Sequence, residues 1–148
     1  MGSRRQPVWR LLGALLALVA CAPASTRPSP PTSPAREQVA RDERVVLEAP
    51  EPEALIESPL ECRGRARGSW FFEATFPVSL LDGRGAVVAR HYAQASGEWM
   101  TESFVPFEAR LVFDRPATDT GVLVLHRANA SGLPEHDAEI RVPVRFRP

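Results

Sequence analysis

Residues 140–146 read Ile-Arg-Val-Pro-Val-Arg-Phe, and this alternation of apolar residues with arginine or proline decides the fold. Successive side chains of a β-strand point to opposite faces, so a period of two predicts a strand with one face in a core. The period recurs in residues 107–113, where every odd-numbered residue is apolar. Because Pro143 cannot donate to a ladder, we expect the last strand to be an edge, or its proline nitrogen to point away from the pairing side.

Further short strands are predicted between proline and turn signals. The loop Asp82-Gly83-Arg84-Gly85 is typical of a hairpin, and about seven to eight strands without an amphipathic helix predict an immunoglobulin-like antiparallel β-sandwich over residues 45–148. The inter-sheet disulfide of antibody domains is not expected, since Cys62 lacks a partner and lies at an inward position of its strand. The other predicted strands are Val45–Leu47, Ala54–Glu57, Leu60–Ala66, Phe76–Leu81, Ala86–Tyr92, Trp99–Phe104 and Val122–Arg127.

The first twenty residues have the pattern of an export signal. An arginine-containing start precedes the apolar run Leu11–Ala20, which as a helix would cover about 15 Å, half of a hydrocarbon core, and so predicts a signal peptide. Leu18-Val19-Ala20-Cys21 resembles a bacterial lipobox, which implies cleavage before Cys21 and acylation of that cysteine. An ordinary secretory signal with an incidental cysteine is the alternative. Ala22, where an aspartate would retain the protein, implies outer-membrane sorting in a diderm cell and the outer face of the cell membrane in a monoderm.

The mature chain is predicted to be a tether followed by one domain. Residues 21–44 are rich in proline, serine and alanine, a composition that favours an extended, flexible segment. Loss of residues 1–20 removes three of the 18 arginines and no acidic residue. The remaining 15 arginines and 18 acidic residues give a net charge of −3. A mildly acidic chain is a poor candidate for nucleic-acid binding.

Several motifs in order resemble one known family. They are the stretch Gly64–Val78, then Gly97-Glu98-Trp99-Met100, Phe104-Val105-Pro106-Phe107, Ser131-Gly132-Leu133-Pro134-Glu135 and Ile140–Phe146. Together they resemble the bacterial spore germination immunoglobulin-like domain, also described as the second type of GerMN-associated domain. The resemblance spans roughly residues 45–148. It implies an extracytoplasmic β-sandwich module and supplies no catalytic residues.

Two groups of residues are candidates for interaction. Trp70, Phe71 and Phe72 are consecutive, so they cannot all face inward on a strand and at least one should be exposed, although most aromatic residues are expected in the core. The loop between Arg127 and Asp137 is long, and sandwiches often bind partners through end loops. Its alternative is a loop ordered only by its own turns. The candidate residues within it are Ser131, Gly132, Leu133, Pro134 and Glu135.

Catalysis, metal and cofactors are not predicted. Glu73 and Glu98 would need to face each other to act as an acid–base pair, and nothing in the sequence fixes their separation. The three histidines, His91, His126 and His136, are too scattered for a zinc motif. Rows of arginine at 63, 65, 67 and at 141, 145, 147 either grip an anionic polymer or form solvated outer faces.

The sequence therefore predicts a non-catalytic, lipid-anchored module of the bacterial cell envelope. It would bind an envelope protein or peptidoglycan, with the lipid on Cys21 holding it to the membrane. The alternative is an accessory subunit of a peptidoglycan-remodelling enzyme complex. The oligomeric state stays open.

Overall fold

The structure, a computed structural model, describes residues 43–148. The predicted signal peptide, the lipidation site Cys21 and nearly all of the tether 21–44 lie outside the described residues. Within residues 43–148 the chain forms eight strands and two short 3-10 helices, Gly68–Trp70 and Pro134–His136. The strands are β1 (Val45–Ala49), β2 (Ala54–Ile56), β3 (Leu60–Arg67), β4 (Thr75–Asp82), β5 (Val87–Ala95), β6 (Phe104–Leu111), β7 (Thr120–His126) and β8 (Glu139–Phe146).

The strands form two facing layers. In the first, β3 lies between β1 and β6; in the second, β4 lies between β5 and β7, and β8 lies between β7 and β2. The layers are continuous only where the end of β5 pairs with β6, at Gln94 and Ala95. The predicted all-β, immunoglobulin-like sandwich is confirmed. One pair, β2 with β8, is parallel, so the sheet is mixed rather than wholly antiparallel.

Alternate residues of the strands meet between the layers. As predicted, Leu60, Cys62, Gly64 and Ala66 of β3 are all buried. The centre of the core is the ring of Phe76, whose centroid lies 4.9 Å from that of Phe107 in the opposite layer. The other buried apolar residues of the core include Trp70, Phe71, Val78, Leu80, Val105, Leu111, Leu123, Leu125, Ile140, Val142, Val144 and Phe146.

The predicted strand Trp99–Phe104 is wrong, because β6 begins only at Phe104. Residues 98–101 form hydrogen bonds with one another, whereas the Ser103 carbonyl accepts from the Gly68 amide, just after β3, at 3.2 Å. A carboxylate oxygen of Glu98 accepts from the Met100 amide at 2.9 Å, and the Thr101 amide donates to the Trp99 carbonyl at 2.8 Å. Polar side chains that satisfy nearby amides in this way compete with a ladder, and alternation does not reveal the competition.

The short strand β2 pairs with β8 at residues 144–146, so the expectation of an edge strand holds only for the part of β8 that precedes Pro143. The alternative expectation agrees with the structure. The carbonyl of Pro143 accepts from the Glu53 amide at 2.7 Å, on the side of β2. Since the nitrogen and carbonyl of one residue point to the same side of a strand, the proline nitrogen points away from β7.

Candidate functional site

The three consecutive aromatic residues separate into two core residues and one surface residue. Trp70 and Phe71 are buried and pack against the core, whereas the ring of Phe72 is 48% exposed. The turn that follows explains the difference. The amides of Phe72 and Thr75 donate to each other's carbonyls, and both Glu73 and Ala74 between them have positive φ, as in a type I′ turn. This turn leaves Phe72 as the member of the trio that a partner can contact.

The long loop between β7 and β8 is organised by Asn129. Its amide nitrogen donates to the Leu133 carbonyl at 2.8 Å and to a carboxylate oxygen of Asp137 at 2.7 Å. Its side-chain oxygen accepts from the Ser131 hydroxyl at 2.6 Å and from the Ser131 and Gly132 amides. The loop is therefore ordered by its own turns, which was the alternative expectation. It nevertheless leaves the Leu133 side chain 48% exposed.

The structure brings the two predicted groups to the same end of the sandwich. The Ala128 amide donates to the Trp70 carbonyl at 2.9 Å, and Arg127 Nε donates to the Ser69 carbonyl at 3.1 Å. These bonds join the base of the loop to the 3-10 helix that precedes Phe72. We call Phe72 and residues Ser131–Glu135 the end surface.

A second candidate region, which was not among the predicted sites, lies on the outer face of the second layer. Phe76, Val78 and Leu80 of β4 face the core, so the alternate residues Pro77 and Ser79 face outward. Ser79 Oγ lies 3.3 Å from His126 Nε2, and His126 Nδ1 lies 3.5 Å from a carboxylate oxygen of Glu139. We call Ser79, His126 and Glu139 the polar row. Beside this row is a pocket of about 410 Å³, lined by Pro77, Val78, Ser79, Arg90, His91, Tyr92 and His126.

One sequence signal pointed toward this face. Val122–Leu125 is an uninterrupted apolar run, which is typical of a strand covered on both faces. Val124 is indeed buried although it is not part of the core between the layers. It lies opposite Ser79 of β4 on one side and Arg141 of β8 on the other.

The remaining candidate residues are placed apart. Glu73 and Glu98 are both exposed, and the Glu98 carboxylate is bonded to the Met100 amide. Within residues 43–148 there is no group of three or more histidine, cysteine or acidic residues that could hold a metal ion. Burial, with a smaller contribution from the charge of Glu61, raises the pKa of Cys62 to about 12. That thiol is therefore a core group with little thiolate character at neutral pH.

The two arginine rows lie in different layers and are largely satisfied locally. Arg65 pairs with Glu48 at 3.1 Å, and the guanidinium of Arg67 lies 4.2 Å from the centroid of the Phe104 ring. In the second layer, Arg141 and Arg147 pair with Glu139 and Glu57. These contacts favour solvated outer faces over a grip on an anionic polymer.

This fold and these surfaces define an immunoglobulin-like β-sandwich module. The family model for the immunoglobulin-like domain of bacterial spore germination matches residues 44–132, and the chain belongs to that family. Comparisons with curated proteins and with solved structures find no match. In the part of the chain that the structure describes, no helix is both long and apolar enough to cross a membrane.

Proposed function

We propose that this chain is a lipid-anchored, extracytoplasmic binding module of the bacterial envelope that holds a wall component through its end surface, without catalysis. The observation that supports binding is the end surface itself. Phe72 and Leu133 each leave about half of a large apolar side chain in water, on segments whose bases are joined by one backbone hydrogen bond and one from the Arg127 side chain. Exposed apolar residues displayed by ordered loops at one end of a sandwich are suited to recognition.

The lipobox-like sequence at Leu18–Cys21 supports membrane attachment. Metabolic labelling with a clickable fatty acid tests it directly. The full chain should incorporate label and fractionate with membranes, and Cys21→Ala should lose both. Labelled Cys21→Ala protein, or an unlabelled parent, would contradict the lipid anchor.

Co-sedimentation with purified peptidoglycan sacculi tests the ligand. The parent chain should pellet at low and at high salt, because the end surface is mainly apolar. Phe72→Ala and Leu133→Ala should reduce pelleting, whereas Leu55→Ala should not, since Leu55 is equally exposed but lies on β2.

A parent chain that stays in the supernatant would contradict wall binding. Crosslinking in intact envelopes would then test the protein-partner alternative, including a role as an accessory subunit of a peptidoglycan-remodelling enzyme.

A further inference from the structure

The outer face of the second layer carries a pocket that the end surface does not use. Its outward-facing residues come from three neighbouring strands: Pro77 and Ser79 from β4, Arg90 and Tyr92 from β5, and His126 from β7. Register places Arg90 directly opposite Ser79 and Tyr92 directly opposite Pro77. We call these five residues the outer-face pocket.

The hydroxyl of Ser79 is held in place by its neighbours. Ser79 is only 7% exposed, and it is the one buried polar residue among those that the structure describes. Its oxygen is 3.3 Å from His126 Nε2, while Nδ1 of the same ring faces Glu139. A carboxylate beside Nδ1 favours the tautomer with the proton there, which leaves Nε2 to accept from the serine.

This row is not built for nucleophilic attack. Ser79 is in the middle of the second layer, and it pairs with Arg90 on one side and Val124 on the other. The backbone amides around it are therefore committed to the two ladders, and Pro77 has no amide proton. An acyl-transfer site needs free donors for a developing oxyanion. The geometry favours binding over catalysis.

The charges in the pocket favour a carboxylate. Arg90 has no ion-pair partner among residues 43–148, unlike Arg65, Arg110 and Arg141. A guanidinium with free donors matches the two oxygens of a carboxylate.

The aromatic side of the pocket favours a ligand with a ring or an apolar body. Tyr92 is 60% exposed, pairs with Pro77 of β4 and lines the pocket. A tyrosine offers a rigid apolar platform with a polar end at a low cost in side-chain entropy. The pocket volume, about 410 Å³, lies in the range of small-ligand sites.

We propose that the outer-face pocket binds carboxylate-bearing fragments of peptidoglycan, with Arg90 on the carboxylate, Ser79 and His126 as hydrogen-bonding partners, and Tyr92 stacking on the sugar ring or apolar part. This assignment rests on the proposed function in taking the wall as the ligand. It adds a second contact with the wall. The outer-face pocket would recognise particular chemical groups, whereas the end surface would supply apolar contact area.

The test is calorimetric titration of the purified full chain with muropeptides released by a muramidase. Three probes separate the chemistry: muropeptides with free carboxylates, the same muropeptides after methyl esterification, and chitin oligosaccharides, which carry no carboxylate. The parent chain should bind the first and bind the other two at least about ten-fold more weakly, as expected for the loss of a hydrogen-bonded charge.

Variants assign the contact to the pocket. Arg90→Gln should weaken muropeptide binding roughly ten-fold or more, whereas Arg63→Gln, an exposed arginine of the other layer, should leave it unchanged. Tyr92→Ala should weaken binding and Tyr92→Phe should retain it. Equal effects at Arg90 and Arg63, or equal affinity for esterified muropeptides, would overturn the assignment.

Sacculus pelleting distinguishes failure of this inference from failure of the proposed function. If the parent chain pellets and binds muropeptides but Arg90→Gln does both equally well, the pocket assignment fails while wall binding stands. If the parent chain neither pellets nor binds muropeptides, both fail.

Discussion

Replacing Phe76 by alanine should remove more stability than any comparable surface change. Phe76 has no solvent exposure, and its ring makes edge contacts with Trp70, Phe71 and Phe107, at centroid distances of 6.4, 5.2 and 4.9 Å. The last contact joins the two layers. Truncation removes apolar transfer energy and leaves a cavity that the surrounding strands cannot close completely.

Buried phenylalanine-to-alanine changes cost about 3–5 kcal/mol. Edge-to-face aromatic pairs contribute roughly 0.5–1.5 kcal/mol each beyond area burial, so we expect the upper part of that range for Phe76→Ala. A domain of this size has a free energy of unfolding of about 5–15 kcal/mol. At roughly 4 °C per kcal/mol, the melting temperature should fall by about 15–20 °C.

Urea unfolding followed by near-ultraviolet circular dichroism measures the free-energy change. Phe72→Ala is the matched control, since Phe72 is half-exposed and should lose under about 0.5 kcal/mol. Phe76→Leu keeps most of the apolar volume without the ring contacts, and it should lose roughly 1–2 kcal/mol. A loss below about 1 kcal/mol for Phe76→Ala, or one equal to that of Phe72→Ala, would refute this view of the core.

Three other changes test the packing, the buried thiol and the loop. Gly64→Ala should destabilise the fold by about 1–3 kcal/mol, because the added Cβ would collide with the Val46 carbonyl and approach the Phe107 ring to 2.9 Å; unchanged urea unfolding would contradict this packing. The Cys62 thiol should resist a maleimide at pH 8 until the protein unfolds, and rapid labelling of the native protein would contradict its burial. The free energy of unfolding should also fall as pH rises from about 9 to about 12, because in that interval the thiol ionises in the unfolded chain and stays protonated in the folded one. Asn129→Ala should raise amide exchange and protease cleavage between β7 and β8 while the core stays folded, and an unchanged loop would show that other contacts order it.

Alternation predicted the strands that have one buried face and one solvent-exposed face. Leu60–Ala66, residues 107–113 and Ile140–Phe146 each carried a period of two, and β3, β6 and β8 follow them closely. The strand predicted at Trp99–Phe104 rested on the turn signal Ser96-Gly97 and not on alternation, and it does not form because polar groups of residues 98–101 bond to their own backbone. The parallel pairing of β2 with β8 depends on which distant strand a short segment meets, and its own residues do not encode that choice.

The outer-face pocket was not predictable for a related reason. A strand pattern tells which residues share a face, but strand register decides which residues of different strands become neighbours. Ser79 and His126 come close only because Ser79 pairs with Val124, two residues before the histidine. Glu139 joins them because it pairs with His126 on the next strand. A shift of one residue in β7 would turn the His126 side chain into the core and break the row. Binding by this pocket would therefore depend on the same register that buries Leu123 and Leu125, so the integrity of the core and recognition of a ligand should be lost together in variants that disturb β7.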